Sequence, residues 1–163
     1  MSFQYTRSRS KLSGKFWLFQ FGLNKEEIAK GKPDPGIENK WYEKGIPRSA
    51  SRLKVFVPTP WNLYMNRKRF EHFGTGWYQT SFYAPHDWGT GDGKRITMVF
   101  NGCNYLTRVW INGKLIGEHE GGFTQFWFDI HEFLIFGSRN LLVIQVDNQY
   151  GEHRLPWFAV PEF

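Results

Sequence analysis

Apolar residues in the second half of this chain recur at every other position. Val109 and Ile111 alternate with Trp110; Phe126, Phe128 and Ile130 alternate with Trp127 and Asp129; Leu142, Ile144 and Val146 share one parity farther on. Successive side chains of a strand point to opposite faces, so this period predicts β-strands with one face turned inward. Asn112-Gly113 stands between two short runs rich in Val, Ile, Leu and Trp. A two-residue type I′ turn needs φ > 0 at both central residues, which Asn then Gly accept at little steric cost. The pattern therefore predicts a hairpin, its return strand running from Lys114 to about His119, where Gly121-Gly122 breaks it. A third strand is expected over residues 123–130.

Upstream, strand character returns over residues 12–19, 55–57, 74–82 and 96–100, and downstream over 141–147. Pro58 lacks a backbone donor and so ends ladder pairing after Val57. The stretches between are polar or irregular. Residues 25–30 have room for one or two helical turns before Gly31, Pro33, Pro35 and Gly36 break them. Residues 63–73 read as an irregular loop with a basic cluster at Arg67, Lys68 and Arg69. Residues 85–93 are a turn region in which Asp92-Gly93 is a hairpin candidate. Residues 129–137 suggest one short helical turn, capped by Asp129 or the residue after it and ended by Gly137. About eight strand candidates and no long helix predict an all-β antiparallel sandwich. Periodicity alone does not separate a jelly roll from an immunoglobulin-like sandwich.

Composition agrees: aromatic residues are 19% of the 163, with 17 Gly and 8 Pro, which suits strands and turns. The length fits one domain with a substantial core, expected over residues 12–163 after a flexible lead-in at 1–11. Charge is uneven, with 15 Lys/Arg against 5 Asp/Glu in residues 1–70 and 6 against 10 in the remainder. The basic residues are dispersed and follow no nucleic-acid-binding motif, so a solvated basic surface is the expectation and nucleic acid is not an expected partner. No apolar run is long enough to span a membrane, and the first residues hold no apolar segment of a secretory signal. Cys103, the single cysteine, excludes an internal disulfide and reads as a small buried apolar residue. Together these lean toward a cytoplasmic location.

The ordered set Trp110, Asn112, Gly113, Gly117, His119, Gly121, Gly122, Phe123 and Asp129 resembles the hairpin signature of the N-terminal sugar-binding domain of glycoside hydrolase family 2. Members of that family include β-galactosidases, β-glucuronidases and β-mannosidases. Residues 74–82, GTGWYQTSF, are similar to the family's Gly-x-Gly-Trp-Tyr-x-x-x-Phe strand; residues 55–62 are similar to its Val-Pro segment, and residues 12–19 to its opening strand, with the family's Trp at Phe16 or Trp17. The resemblance implies a jelly roll of the galactose-binding-domain type. It also implies that Trp41-Tyr42 packs back onto the sandwich.

Retaining glycosidases use two carboxyl groups roughly 5 Å apart. In family 2 both are glutamates on a (β/α)₈ barrel that follows the sandwich and an immunoglobulin-like domain, and no such barrel pattern stands in these residues. Glu118 and Glu120 share a strand face but read as solvated surface, and His119 as a packing or hydrogen-bonding group at the hairpin end. No catalytic residue, metal site or cofactor is expected. The resemblance implies a noncatalytic domain that binds a β-glycoside at the rim of the sugar pocket, with the immunoglobulin-like and TIM-barrel domains as its partners. A family segment of the type Asp-x-x-Asn-Tyr-Gly-Gly-Ile, which helps line the sugar site, would follow Phe163, so an excised domain is the expectation. Among the residues present, Trp61, Asn62 and Tyr64 are the candidate sugar contacts, because aromatic and polar groups meet there at a strand end. Trp61 also suits a plug in the end of the sandwich. A free-standing carbohydrate-binding module and a purely structural interaction domain are the competing readings.

Overall fold

The computed structural model describes residues 10–64, 72–90 and 94–149. The Arg67, Lys68 and Arg69 cluster, Asp92-Gly93, most of the lead-in and the chain from 150 onward lie outside these residues. The strands are β1 (Lys15–Asn24), β2 (Leu53–Val57), β3 (Gly74–Ala84), β4 (Thr97–Phe100), β5 (Leu106–Ile111), β6 (Lys114–Glu120), β7 (Phe126–Asp129) and β8 (Ser138–Asp147). Six of them form one antiparallel sheet in the order β2-β1-β3-β8-β5-β6, and β4 pairs with β7 in a second. The chain is a β-sandwich, as its alternation predicts.

The large sheet is apolar on both faces. Phe19, Val55, Val109, Ile111, Leu142, Ile144 and Val146 point toward the small sheet and pack with Met98 and Ile130. Trp77, Trp110 and Val143 point the other way. That second face is covered by the segment between β1 and β2, whose helical turns are α1 (Lys25–Ala29), α2 (Pro35–Glu38) and α3 (Trp41–Lys44). Trp41 meets Trp77 edge-on at 5.8 Å and Tyr42 stacks on Trp110 at 5.5 Å, so the aromatic pair does anchor the loop.

Asp34 fixes this cover in place. One carboxylate oxygen accepts from the amides of Gly36, at 2.8 Å, and Ile37, capping α2, and from Trp77 Nε1 at 2.9 Å. The other accepts from Thr75 Oγ1 at 2.6 Å and Gln145 Nε2 at 3.1 Å. A charged acceptor with donors on α2, β3 and β8 thus ties loop to sheet.

The central hairpin forms as its sequence predicts. Asn112 and Gly113 have φ of 51° and 83°, and β5 and β6 pair on either side with a bulge after Val109. Asn112 does more than turn the chain. Its side chain donates to Phe133 O and Asn140 Oδ1 and accepts from the Leu141 amide, joining the hairpin tip to the start of β8.

Several boundaries differ from the sequence reading; β8, for one, begins at Ser138 rather than Leu141, and β2 at Leu53 rather than Val55. β1 begins at Lys15 and continues through Phe21 and Leu23, because β3 supplies partners as far as Asn24. β7 begins at Phe126 rather than Phe123, since bends over residues 122–124 carry the chain from the large sheet to the small one. The turn after Asp129, whose carboxylate accepts from the His131 amide, is a 3₁₀ turn ending at Phe133. Gly137, at φ of 70°, therefore does not stop a helix; its amide bonds Ala84 O where β8 begins.

One end of the inner core is closed by Trp61. Its ring lies against Phe19, Tyr78 and His72, and a Cβ on Gly76 would come within 2.5 Å of it.

Two substitutions check this packing. Gly113→Val places a β-branched residue at positive φ and should lower unfolding stability by more than ~1 kcal/mol; an unchanged melting curve would remove Gly113 from the turn. Trp61→Ala should cost about 3–5 kcal/mol in denaturant titration, through the cavity it leaves. A loss below about 1 kcal/mol would show a surface residue instead.

Candidate functional site

The sequence places its candidate sugar contacts just past β2, and the structure separates them. A 3₁₀ turn spans Trp61–Tyr64. Trp61 begins it and is 5% exposed. Tyr78 stacks nearly parallel to the indole at 6.4 Å, with Phe19 and the edge of His72 closing other sides. A ring this enclosed has no free face for a pyranose, so Trp61 plugs the sandwich end and is not a stacking surface in this structure. The cause is local: Gly76 leaves the space above β3 that the indole fills. Asn62, next in the turn, is half-buried at the surface, and Leu63 is exposed. Tyr64 ends the turn, and its side chain lies outside the described part of the structure.

Two further polar residues stand where β3 begins and β8 ends. Asn148 accepts from the Gly74 amide at 2.9 Å and donates to His72 O at 3.0 Å, while His72 Nε2 contacts Thr75 O at 3.2 Å. His72 also packs against Phe21 and Trp61, so it sits between the plug and the rim. Neither residue stands out in the sequence. The only signal is a polar residue just outside each strand end, too common to single them out.

Other groups capable of chemistry are engaged elsewhere. Glu118 is ion-paired with Arg108 at 3.1 Å, and Arg108 also donates to Gln145. His119 stacks on Phe126 at 4.0 Å; its buried Nε2 has no hydrogen-bond partner among the described residues. This gives it the packing role. Burial pushes the Cys103 thiol up, which disfavours the thiolate a nucleophile needs. The Asp129 carboxyl is held below its usual range by the His131 amide and by Arg95. Among the described residues, no three His, Cys, Asp or Glu side chains gather to hold a metal ion. Open clefts of about 400 and 330 Å³ are lined chiefly by charged and polar side chains, and neither includes Trp61, Asn62 or His72.

At this end of the sandwich the described polar side chains Asn62, His72 and Asn148 thus stand around the buried Trp61. Comparison with known proteins agrees with the fold and with the hairpin signature. The profile described as "Glycosyl hydrolases family 2, sugar binding domain" matches residues 11–157. The β-glucuronidase of Sus scrofa is 30% identical over 156 residues, a match covering 93% of this chain and 22% of the relative. That of Paenibacillus borealis is 29% identical over 153 residues, covering 93% and 23%. Among solved structures, Ruminococcus gnavus β-glucuronidase superposes with a TM-score of 0.75 at 27% identity, over 94% of this chain and 24% of that one. The chain thus spans less than a quarter of the length of these relatives. From the profile match over most of its length, the chain belongs to the sugar-binding domain family of glycosyl hydrolases family 2.

Proposed function

We propose that this chain is a noncatalytic sugar-binding domain of a β-glucuronidase-type family 2 glycosidase, bracing a catalytic barrel and contributing to the rim of its sugar pocket. The supporting observation is the match itself: proteins named β-glucuronidase align with nearly the whole chain through under a quarter of their own length. The catalytic glutamates, the immunoglobulin-like domain and the barrel then belong to the rest of such an enzyme. The burial of Trp61 refines the reading. The indole holds the turn, and the turn presents Asn62, with Tyr64 as the aromatic neighbour proposed beside it.

A rim without its opposing wall binds weakly, since a sugar site needs polar groups converging from several sides of a cleft. Titration of the 163-residue chain with glucuronic acid, galactose and mannose, followed by the Asn62 side-chain amide in NMR, should give a Kd of about 1 mM or weaker. Glucuronic acid should shift that amide, and Asn62→Ala should abolish the response elsewhere in the turn. Micromolar binding that survives Asn62→Ala would contradict the rim assignment and favour a free-standing carbohydrate-binding module. No response of residues 61–64 to any of the three sugars would favour a purely structural domain.

A further inference from the structure

The small sheet has an outer face that the sandwich does not use. β4 and β7 turn Met98, Phe100, Phe126 and Phe128 toward the core, and alternation sends Thr97, Val99, Trp127 and Asp129 outward. Val99 and Trp127 are partners in register, 53% and 65% exposed. One step along the ladder, Gln125 Nε2 donates to Asn101 Oδ1 at 2.9 Å. One step the other way, Thr97 faces Asp129, whose carboxylate accepts from Arg95 Nε at 3.1 Å. The outward row therefore reads amide pair, indole beside isopropyl, then hydroxyl and ion pair.

We propose that this row is a saccharide platform: Trp127 carries one pyranose ring of a neutral β-linked gluco- or xylo-oligosaccharide, and the flanking pairs bond its hydroxyls. A pyranose presents C–H groups on its face and hydroxyls around its edge. An indole offers a wide, weakly negative surface for those C–H groups. Same-face residues two apart on a strand are separated by ~6.7 Å, which sets the amide pair and the ion pair to either side of a ring centred on Trp127. Both pairs keep unused capacity, the amides as donors and acceptors and the guanidinium as a donor. Gluco- and xylo-configured rings have every ring substituent equatorial in the β form, so nothing axial props the ring off the indole.

The ladder alone is smaller than a stable protein interface. A ladder of four residues on two strands covers ~14 by ~10 Å, about 140 Å². A stable protein interface takes about 800 Å² from each partner. Isolated surface aromatics are common, but this one is bracketed on both sides by hydrogen-bonding pairs held in register. The platform is separate from the Asn62 rim and stands or falls apart from it.

The test is NMR titration of the ¹⁵N-labelled 163-residue chain with cellotetraose and xylotetraose, reading the Trp127 indole N–H and the Gln125 amide. Progressive shifts of both are expected, with a Kd of about 1 mM. Trp127→Ala should weaken binding by about tenfold or more and Trp127→Phe by less, since a smaller ring keeps part of the stacking surface. Asn62→Ala should leave this response unchanged. Trp127 is exposed, and an unaltered melting curve for both Trp127 variants would confirm that the effect is on binding. Failure of the Trp127 and Gln125 signals to move at about 10 mM of either tetrasaccharide, or equal affinity in Trp127→Ala, would overturn the proposal. So would shifts confined to residues 61–64.

Discussion

The Asp34 carboxylate joins the outer cover to the large sheet through hydrogen bonds from α2, β3 and β8. A sheet whose strands are apolar on both faces needs a cover on each side, because exposed Trp77, Trp110 and Val143 would forfeit the free energy of their burial. The inner cover is regular: a two-stranded sheet whose alternation supplies Met98, Phe126 and neighbouring apolar side chains. The outer cover is a run of short helical turns with little internal cohesion, since helices of four or five residues are unstable alone. Asp34 compensates by accepting from α2 itself and from three side chains on two strands of the sheet, Thr75, Trp77 and Gln145. Trp41 and Tyr42 then close over Trp77 and Trp110.

This arrangement bears on where a ligand can go. Both faces of the large sheet are used for packing, which leaves its ends and the outer face of the small sheet. At one end Trp61 seals the core while Asn62, His72 and Asn148 stand around the seal. This end of the domain therefore sets polar groups around a sealed core. The outer face of the small sheet is the contrasting case, with an exposed indole at its centre.

The fold was legible because its rule is local. Alternation places Val109, Ile111, Leu142, Ile144 and Val146 on one face whatever lies opposite them, and Asn112-Gly113 demands a turn by its own backbone preference. What was not legible depends on contacts between distant residues. Nothing near Trp61 in the chain says that Gly76 leaves room for its ring. An aromatic residue followed by an amide after a strand end therefore reads as a sugar contact until the packing is known. Asp34 stands in a Pro-rich stretch that reads as a loop, and its partners lie 41, 43 and 111 residues away. The Trp127 row was half legible. Alternation turns Trp127 outward, but the Gln125–Asn101 and Arg95–Asp129 pairs beside it require the β4–β7 register.

The central claim is that one carboxylate holds the outer cover on the sheet while the hairpin and inner core stand without it. Native-state amide hydrogen exchange on Asp34→Ala tests this most directly. Hydrogen bonds to a charged group contribute roughly 1.5–3 kcal/mol each, so amides of residues 35–46 should lose protection by at least about tenfold. The amides of β5 and β6 should keep theirs. Unchanged protection over residues 35–46, or an equal loss throughout the chain, would contradict the account.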